Sequence, residues 1–474
     1  MESINLVNKV PLKRKLTYSI GQLGDSFGFN VFYFYFLFFM TDVAGIPAAA
    51  AGTIALVAVA WDAITDPVVG YLSDNLKSKY GRRRPFMIGA AGFYGIATYL
   101  LFTNPDLSLG LKSLYFGVIG ILFWTVYTSY VIPYFALGGE MTDNYQERTS
   151  LRVWASVGIY GAVWVASAGP PMIVSLVMES GKTLEQGWNT TGLFLGVAII
   201  LVIVICWWGT KGAESAVISL EEKQKTAKQN FFKVYLSVFR LKPVPPFAIT
   251  ILLLAGVTNL VSSGPVYLMS NNLGFSLQKQ SLFWTVMVVV TLCYLPIINF
   301  LSNKLDKRSV YYLSCFISGI VCALFYLIGL NSFTIMIVWL ISFEFCMVTF
   351  WTIYYAMMYD INELDQYVNG HAREGAITAI LAFSQKIGAA ISLQIMGVLL
   401  QFSGYDGMAA TQPDSALDMI MHLNTTIPGA IMVIAGFVTF KYPITKSRFE
   451  ALQKALAARK EGREYPTDEF KELL

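Results

Sequence analysis

The chain has 474 residues, of which 55% are hydrophobic and only 14% are charged, and its formal net charge at pH 7 is +4. Because soluble globular proteins carry about 25% charged residues, this composition excludes an ordinary soluble domain. The net charge is small and the basic residues lie in short loops, so no nucleic-acid partner is expected. Apolar runs of about 20 residues recur along the whole length, which predicts an all-α polytopic membrane protein.

Twelve membrane spans are predicted in chain order from hydropathy. They cover residues 17–42, 50–74, 85–104, 112–139, 149–178, 189–209, 246–271, 279–302, 310–330, 333–361, 371–403 and 418–441. The longest polar stretch separates the sixth span from the seventh, and within it FFKVYLSVFR has the spacing of an amphipathic interfacial helix.

This pattern predicts a division into two helical bundles. The predicted parts are a six-helix bundle over 1–209, a cytoplasmic linker over 210–245, a second six-helix bundle over 246–442 and a cytoplasmic tail over 443–474.

The distribution of Lys and Arg predicts the orientation in the membrane. These residues are concentrated in the N-terminal segment, in the loops at 77–84 and 304–308, and in the tail, whereas the opposite loops hold few. Both termini are therefore expected on the cytoplasmic side of a cell membrane. The N-terminal segment MESINLVNKVPLKRKL lacks the apolar core of a removable signal peptide. All five cysteines fall within predicted spans without CxxC spacing, which favours packing residues over disulfides or zinc ligands.

A short internal repeat supports two related halves. YLSDNLKSKYGRR, from Tyr71, and FLSNKLDKRS, from Phe300, each follow the second span of a half. Parallel repeats of this kind resemble the plan of the major facilitator superfamily, which implies a substrate site at mid-membrane between two six-helix bundles.

The loop after the second span also resembles that superfamily. Its signature is matched by Gly70, Asp74, Gly81 and the residues from Arg82 to Arg84. The resemblance implies that Asp74, Arg82 and Arg83 tie the cytoplasmic ends of the helices together in the outward-facing state. The alternative is positive charge that only sets the topology.

Two acids stand in the middle of the second span, in the sequence WDAITDP. An ionised side chain at that depth costs about 2.5–3.5 kcal/mol on the insertion scale, so Asp62 and Asp66 are functional-site candidates. Their i, i+4 spacing places both on one helical face. Two adjacent carboxylates repel each other, so the pair is expected to bind a proton or a small cation. The alternative is an ion pair with Arg152 or Lys386.

The same stretch closely resembles the W-D-A-x-x-D-P sequence of the glycoside–pentoside–hexuronide:cation symporters, the melibiose permease family. Further resemblance extends over essentially the whole chain, through YSIGQLGDSFGFN, SDNLKSKYGRRRPF, VYTSYVIPYFALGGEMTDNYQERTSLRVWAS and FWTIYYAMMYDINELDQY. It implies that Asp62, Asp66 and Thr128 ligate a coupling Na⁺, Li⁺ or H⁺. Thr65 stands where the melibiose branch often has Asn, which leaves Na⁺ and H⁺ both open for this chain.

The resemblance is less complete on the sugar side. The helix-I acid of the melibiose branch aligns with Ser26, one residue after Asp25, and its helix-IV acid aligns with Val131. A buried Val cannot accept a hydrogen bond from a sugar hydroxyl, so the chain resembles the xyloside and glucuronide branch more closely.

Basic and aromatic residues complete the predicted sugar cavity. Arg152 and Lys386 align with basic positions of the family's cavity, where they could bind a sugar acid; alternatively they pair with Asp25 or Asp360. Trp351 and Tyr127 are candidates for stacking on the sugar, against the alternative of ordinary packing or interface residues.

Charged residues at the ends of spans ten and eleven suggest an inner gate. The predicted members, against the alternative of solvated loop charge, are Asp360, Glu363, Asp365, Arg373 and Glu374, acting with Glu140, Asp143 and Arg148. Glu344 is an acid deep in span ten for which the resemblance implies no role; a bond to a neighbouring helix is expected.

The predicted function is secondary active symport of a glycoside, pentoside or hexuronide by alternating access. The coupling ion is Na⁺ or H⁺, no other cofactor is expected, and the partners are a sugar or sugar acid and membrane lipid, with the chain acting as a monomer. No nucleophile–base constellation indicates an enzyme. The alternatives are a cation-coupled lysolipid transporter of the same fold and a non-transporting sugar sensor.

Overall fold

The computed structural model describes residues 10–142, 145–213, 236–370, 373–463 and 465–473, and in this part of the chain it contains no β-strand. Residues 231–235 of the predicted linker helix lie outside these ranges, and residues 236–239 are helical.

The N-terminal half consists of six long helices. Their bounds are α1 Leu12–Val31, α2 Ala48–Asn75, α3 Arg84–Leu101, α4 Leu109–Glu140, α5 Tyr145–Glu179 and α6 Leu184–Gly209. Two π-helical segments, Phe32–Phe36 and Phe39–Val43, prolong α1. Local sequence sets several starts: Pro11 and Pro47 precede α1 and α2, and the Thr183 and Gln186 side chains form a capping box at α6.

The C-terminal half continues with helices of similar length. Their bounds are α7 Val244–Tyr267, α8 Leu277–Lys304, α9 Lys307–Ile328, α10 Phe333–Asn369, α11 Glu374–Phe402, α12 Asp414–Asn424, α13 Thr426–Phe440 and α14 Lys446–Lys460. A π-helical segment, Leu268–Asn272, prolongs α7.

The predicted all-α polytopic fold is confirmed. In the described part of the chain, 10 helical segments are long and apolar enough to cross a membrane, and α12 and α13 together make one of them. Helices α1 and α3 lie at the predicted first and third spans and complete the twelve. The helices α5 and α10, with 35 and 37 residues, are longer than the predicted spans because their polar ends continue as helix.

The twelfth span is broken between α12 and α13. Pro428 lies in the first turn of α13, and its ring would clash with the carbonyl group four residues earlier in a continuous helix. That carbonyl belongs to Asn424, and it accepts a hydrogen bond of 3.1 Å from the Trp339 indole instead. The hydropathy pattern predicted one continuous span over 418–441 because the break lies within an apolar run.

The two halves repeat the same helix pairing. In the first, α3 packs on α4 and α6; in the second, α9 packs on α10 and α13. Both α3–α6 and α9–α13 approach through glycines, Gly95 with Gly196 and Gly319 with Gly429. A Cβ at any of these positions would meet a backbone oxygen of the partner. Small residues at the crossing permit this close backbone approach, as is common between membrane helices.

Contacts within the chain define two compact units. The first comprises residues up to 223 together with 269–288 and 393–417, and the second comprises 224–268, 289–392 and 418–474. In the first unit, α8 contacts α5 through a hydrogen bond of 3.0 Å from the Trp164 indole to the Thr285 hydroxyl. The predicted domain limits remain a prediction.

Candidate functional site

Three of the predicted cation ligands lie together in the first unit. The Thr128 hydroxyl on α4 is 2.5 Å from Oδ1 of Asp62 and 3.3 Å from Oδ1 of Asp66, both on α2. Asp62 is only 1% exposed and lies near the middle of its 28-residue helix. A hydroxyl has one proton to donate and two lone pairs, so Thr128 can donate to one carboxylate and also offer oxygen to a cation. The cluster therefore provides oxygen ligands from two helices.

The residues around this cluster fix α2 against α4. The Trp61 indole donates a hydrogen bond of 2.9 Å to the Thr125 hydroxyl, one turn from Thr128. Thr65 donates to the Asp62 backbone carbonyl at 3.1 Å, so its hydroxyl proton is used within α2. As a cation ligand, Thr65 would contribute only its lone pairs.

Asp25 lies beside the cation cluster, on α1. Its carboxylate accepts a hydrogen bond of 2.6 Å from the Tyr127 hydroxyl and another from the Gln22 amide. The carboxyls of Asp25 and Asp62 are close enough for their charges to repel. Tyr127 and Thr128 are consecutive residues of α4, so this helix contacts the α1 acid and the α2 acids through neighbouring side chains.

The other predicted positions on α1 and α4 are buried. Ser26 is 4% exposed and Val131 is 5% exposed. Around them, tyrosine hydroxyls of α4 bind carbonyl groups of α1: Tyr130 donates to Gly21 at 2.6 Å and Tyr134 donates to Tyr18 at 2.8 Å. These bonds hold the two helices in register on one side of the Asp25–Tyr127 contact, toward the start of α1 and the end of α4.

Arg152, on α5, has an exposed side chain in this unit. Among the described residues it forms no ion pair, and the carboxylate of Asp25, one of its predicted partners, accepts hydrogen bonds from Tyr127 and Gln22.

The remaining predicted sugar residues belong to the second unit. Trp351, on α10, is half-buried, and its ring lies 4.8 Å from that of Phe350. Lys386 is half-buried on α11.

The predicted gate residues of the loop after α2 form a charged network with the end of α4. Arg83 pairs with Asp74 and, at 3.2 Å, with Glu140; it also donates to the Ser73 hydroxyl at 2.8 Å. Arg82 pairs with the same Glu140 carboxylate at 3.0 Å. We call Asp74, Arg82, Arg83 and Glu140 the basic-end network.

The gate residues predicted on α10 and α11 form two further clusters, in the second unit. Asp360 pairs with Lys307 at 2.8 Å, and Asp365 pairs with Arg373 at 2.5 Å. Glu363 is half-buried near Asp360. The side chain of Arg148 and all of Asp143 lie outside the part of the chain that the structure describes.

Sequence reasoning missed several contacts in the first unit. Asp42, at the end of the π-helical extension of α1, accepts hydrogen bonds of 2.6 Å from the hydroxyls of Tyr405 and Thr41. Lys15 pairs with Glu147 at 2.8 Å, joining α1 to α5. An acid at the limit of an apolar run was the available signal for Asp42, but its partner comes from 363 residues further along the chain.

Contacts in the second unit were missed as well. The tail folds back as α14, whose Arg459 donates to the Tyr367 carbonyl at 2.8 Å, and Phe470 beyond it is fully buried. Glu344 accepts a hydrogen bond of 2.8 Å from Thr291, the neighbouring-helix bond expected of it.

Comparison with known proteins agrees with this fold. Residues 17–446 match the family described as MFS/sugar transport protein. Inner membrane symporter YicJ of Escherichia coli (strain K12) is 26% identical over 466 residues, which cover 94% of this chain and 95% of that protein. Glucuronide carrier protein homolog of the same organism is 25% identical over 455 residues, which cover 94% and 95%. The crystal structure of D-xylose-proton symporter has a TM-score of 0.63 at 15% identity, over 91% of this chain and 97% of that one.

In the described part of the chain, long apolar helices in two repeated sets define a multi-pass membrane transporter of the major facilitator fold. The match over residues 17–446 identifies the family: the chain belongs to the MFS/sugar transport protein family. The resemblance to the glycoside–pentoside–hexuronide:cation symporters, and with it the prediction of cation-coupled sugar symport, is confirmed.

Proposed function

We propose that this symporter binds Na⁺ or H⁺ at Asp62, Asp66 and Thr128 and couples its entry to the uptake of a xyloside or a hexuronide. The observation that carries the cation site is the Thr128 hydroxyl, which lies within hydrogen-bonding distance of both carboxylates. Without a bound cation, two carboxylates in this buried position would repel each other. A cation between them removes the repulsion and fixes α2 against α4.

The contact between α4 and α1 supports coupling between cation and sugar. A cation that repositions Thr128 also acts on Tyr127, the next residue, and so on the Asp25 carboxylate. Asp25 is the acid of α1 that could accept a hydrogen bond from a sugar hydroxyl. The coupling must be reciprocal, so that the sugar raises cation affinity by the same factor as the cation raises sugar affinity.

The charge of Arg152 supports an anionic sugar as substrate. A guanidinium in a membrane protein is costly unless it is hydrated or paired, and Arg152 has no ion pair among the described residues. Its planar fork matches a carboxylate bidentately, which suits the carboxyl group of a hexuronide. The name of the glucuronide carrier relative agrees with this class. A neutral xyloside would use Asp25 and Tyr127 without needing Arg152.

In this proposal the basic-end network is a gate of the first unit, and the clusters on α10 and α11 are a gate of the second unit, each considered by itself. The basic loops place this end of the helices in the cytoplasm by the positive-inside rule. Arg82 and Arg83 share Glu140, so opening must separate the charges of α3 and α4 or move both helices together.

The decisive experiment is uptake of labelled glucuronide and xyloside into right-side-out vesicles under an imposed Na⁺ gradient, an imposed pH gradient, or neither. We expect one gradient to drive accumulation in the wild type. Asp66→Asn removes one negative charge from the site and should reduce accumulation to the level without a gradient. Asp106→Asn, which changes an exposed acid in the loop before α4, is the matched control and should accumulate sugar normally.

The substrate class is tested in the same vesicles with Arg152→Gln. We expect this variant to lose glucuronide uptake and keep xyloside uptake. Wild-type accumulation by Asp66→Asn would refute the cation site. If neither sugar moves under either gradient, the substrate proposal fails, and longer oligosaccharides and lysolipids become the candidates.

A further inference from the structure

Helices α2 and α8, the second helices of the two halves, correspond to each other position by position. Both have 28 residues, and both carry a proline at the same place, Pro67 in α2 and Pro296 in α8. They end on similar sequences, LSDN and LSNK. In this register, Thr291 of α8 occupies the position that Asp62 occupies in α2.

Thr291 also contacts an acid on the fourth helix of its own half. Its hydroxyl donates a hydrogen bond of 2.8 Å to Oε2 of Glu344, on α10. In the first half, the acid is on the second helix and the hydroxyl, Thr128, is on the fourth. The second half therefore repeats an acid–hydroxyl pair between its second and fourth helices, with the two groups exchanged.

In the part of the chain that the structure describes, no basic side chain pairs with Glu344. Glu344 is 7% exposed, and it forms no ion pair among the described residues. The ionisable side chain beside it on α8 is Tyr294, and a phenol is neutral near pH 7.

The charged side chains of helices α8 and α9 lie at the helix ends. Helix α7 carries none, and those of α8 and α9 are Lys279, Lys304, Lys307 and Arg308. The Tyr294 hydroxyl is committed to the Ile341 carbonyl at 3.0 Å. Burial without a counter-charge favours the protonated form of a carboxyl group.

We propose that Glu344 and Thr291 form a proton-binding site in the C-terminal half, separate from the cation site at Asp62 and Asp66. A carboxyl oxygen of Glu344 takes a proton from water and later returns it to water, while Thr291 holds the carboxyl in place. A proton is the fitting ligand because it needs a single oxygen, whereas a metal cation takes several and this pair supplies only one carboxylate and one hydroxyl. Proton binding here does not depend on which ion Asp62 and Asp66 bind.

The site can be tested by infrared spectroscopy of the full-length protein in lipid vesicles during a pH titration, without any sugar. The wild type should show the C=O stretching band of a protonated carboxyl, and the band should disappear as pH rises. The spectrum of Glu344→Gln is subtracted from that of the wild type, because a proton at Asp62 or Asp66 would give a band in both, and the difference should contain the titrating band of Glu344. Glu185→Gln, at an exposed acid in the first turn of α6, should keep it.

A second variant keeps the proposal testable if Glu344→Gln does not fold. In Thr291→Val the ionised carboxylate loses its hydrogen-bond donor, so the band should persist to higher pH. An unchanged titration in Thr291→Val would count against the pair. A difference spectrum between the wild type and Glu344→Gln that contains no carboxyl band, or one whose band never titrates while the protein stays folded, would overturn the proposal.

The consequence for transport rests on the proposed symport function and is measured separately. The pH profile of sugar uptake should be altered in Glu344→Gln while a gradient still drives accumulation, unlike in Asp66→Asn; an unchanged pH profile would contradict a role in transport. If the vesicles transport none of the sugars tested, the proposed function fails, and the infrared titration still decides the proton site.

Discussion

The two halves of this chain share their packing and differ in their chemistry. Each half packs its third helix on its fourth and sixth, with glycines at the crossing. Each also pairs a basic residue at the start of the third helix with an acid of the fourth, Arg83 with Glu140 and Lys307 with Asp360. Between the second and fourth helices the halves diverge: in the described residues, the first half brings two carboxylates to the Thr128 hydroxyl, and the second brings the Glu344 carboxyl to the Thr291 hydroxyl. The repeated scaffold therefore fixes where helices meet, and single substitutions decide what binds there.

The largest expected effect is a difference in stability between variants of Arg83 and Lys307, the basic residues at the start of the third helix of each half. Arg83 is a buried side chain with three partners, Asp74, Glu140 and Ser73, so Arg83→Ala removes one of the two guanidinium groups that pair with Glu140 and also removes the ion pair with Asp74. Removing the whole partner of a buried ion pair costs about 3–5 kcal/mol, and because Arg82 still pairs with Glu140, the loss for Arg83→Ala should lie below that range. Lys307 is more exposed, at 37% of its side chain, so water can partly replace it, and Lys307→Ala should cost less.

Thermal unfolding in detergent measures this difference. The order of loss in unfolding temperature should be Arg83→Ala, then Lys307→Ala, then the control Lys77→Ala at an exposed loop position. Equal losses in unfolding temperature for Arg83→Ala and Lys307→Ala would show that both halves depend equally on these ion pairs. That result would contradict the expected difference between the halves.

The second expected effect is a difference in affinity for the coupling ion between variants of Thr128 and Thr291, the threonines that contact acids in the two halves. The Thr128 hydroxyl lies within hydrogen-bonding distance of both carboxylates. A hydrogen bond to a charged group contributes about 1.5–3 kcal/mol of stabilising free energy. Thr128→Val should therefore weaken the affinity for the coupling ion by about one to two orders of magnitude. Thr291→Val should leave that affinity unchanged, because its partner is Glu344.

The measurement is the concentration of the coupling ion that gives half-maximal sugar uptake. Thr128→Ser restores a hydroxyl and should recover most of the affinity. An equal loss in Thr291→Val would mean that the two mid-membrane pairs act as one site.

The sequence predicted the parts of this molecule whose signal lies within one helix. Hydropathy predicted the spans because the length of each apolar run matches the thickness of the bilayer. The i, i+4 spacing placed Asp62 and Asp66 on one face of α2 because it follows the period of the helix. The family resemblance added Thr128, which no local pattern would have related to α2.

The contacts that sequence reasoning missed join distant segments or depend on polar residues that hydropathy passes over. Glu140 was grouped with acids of α10, yet it pairs with Arg82 and Arg83, because charged helix ends look alike until the helices are packed. Residues 443–474 were predicted only as a cytoplasmic tail, with no contacts assigned, yet Phe470 is fully buried. One apolar residue in a charged stretch is too weak a signal to predict such docking.

The smallest effect tests the packing that the halves share. At Gly95 of α3 and Gly319 of α9, an added methyl group would meet a backbone oxygen of the facing helix, and overpacking of this kind costs about 1–3 kcal/mol. Gly95→Ala and Gly319→Ala should lower the unfolding temperature by similar amounts. Gly92→Ala, on α3 with open space around its Cβ position, is the matched control and should be neutral or slightly stabilising, since Ala favours helix over Gly. A loss confined to one half would show that the scaffold itself, and not only the chemistry it carries, has diverged between the two copies.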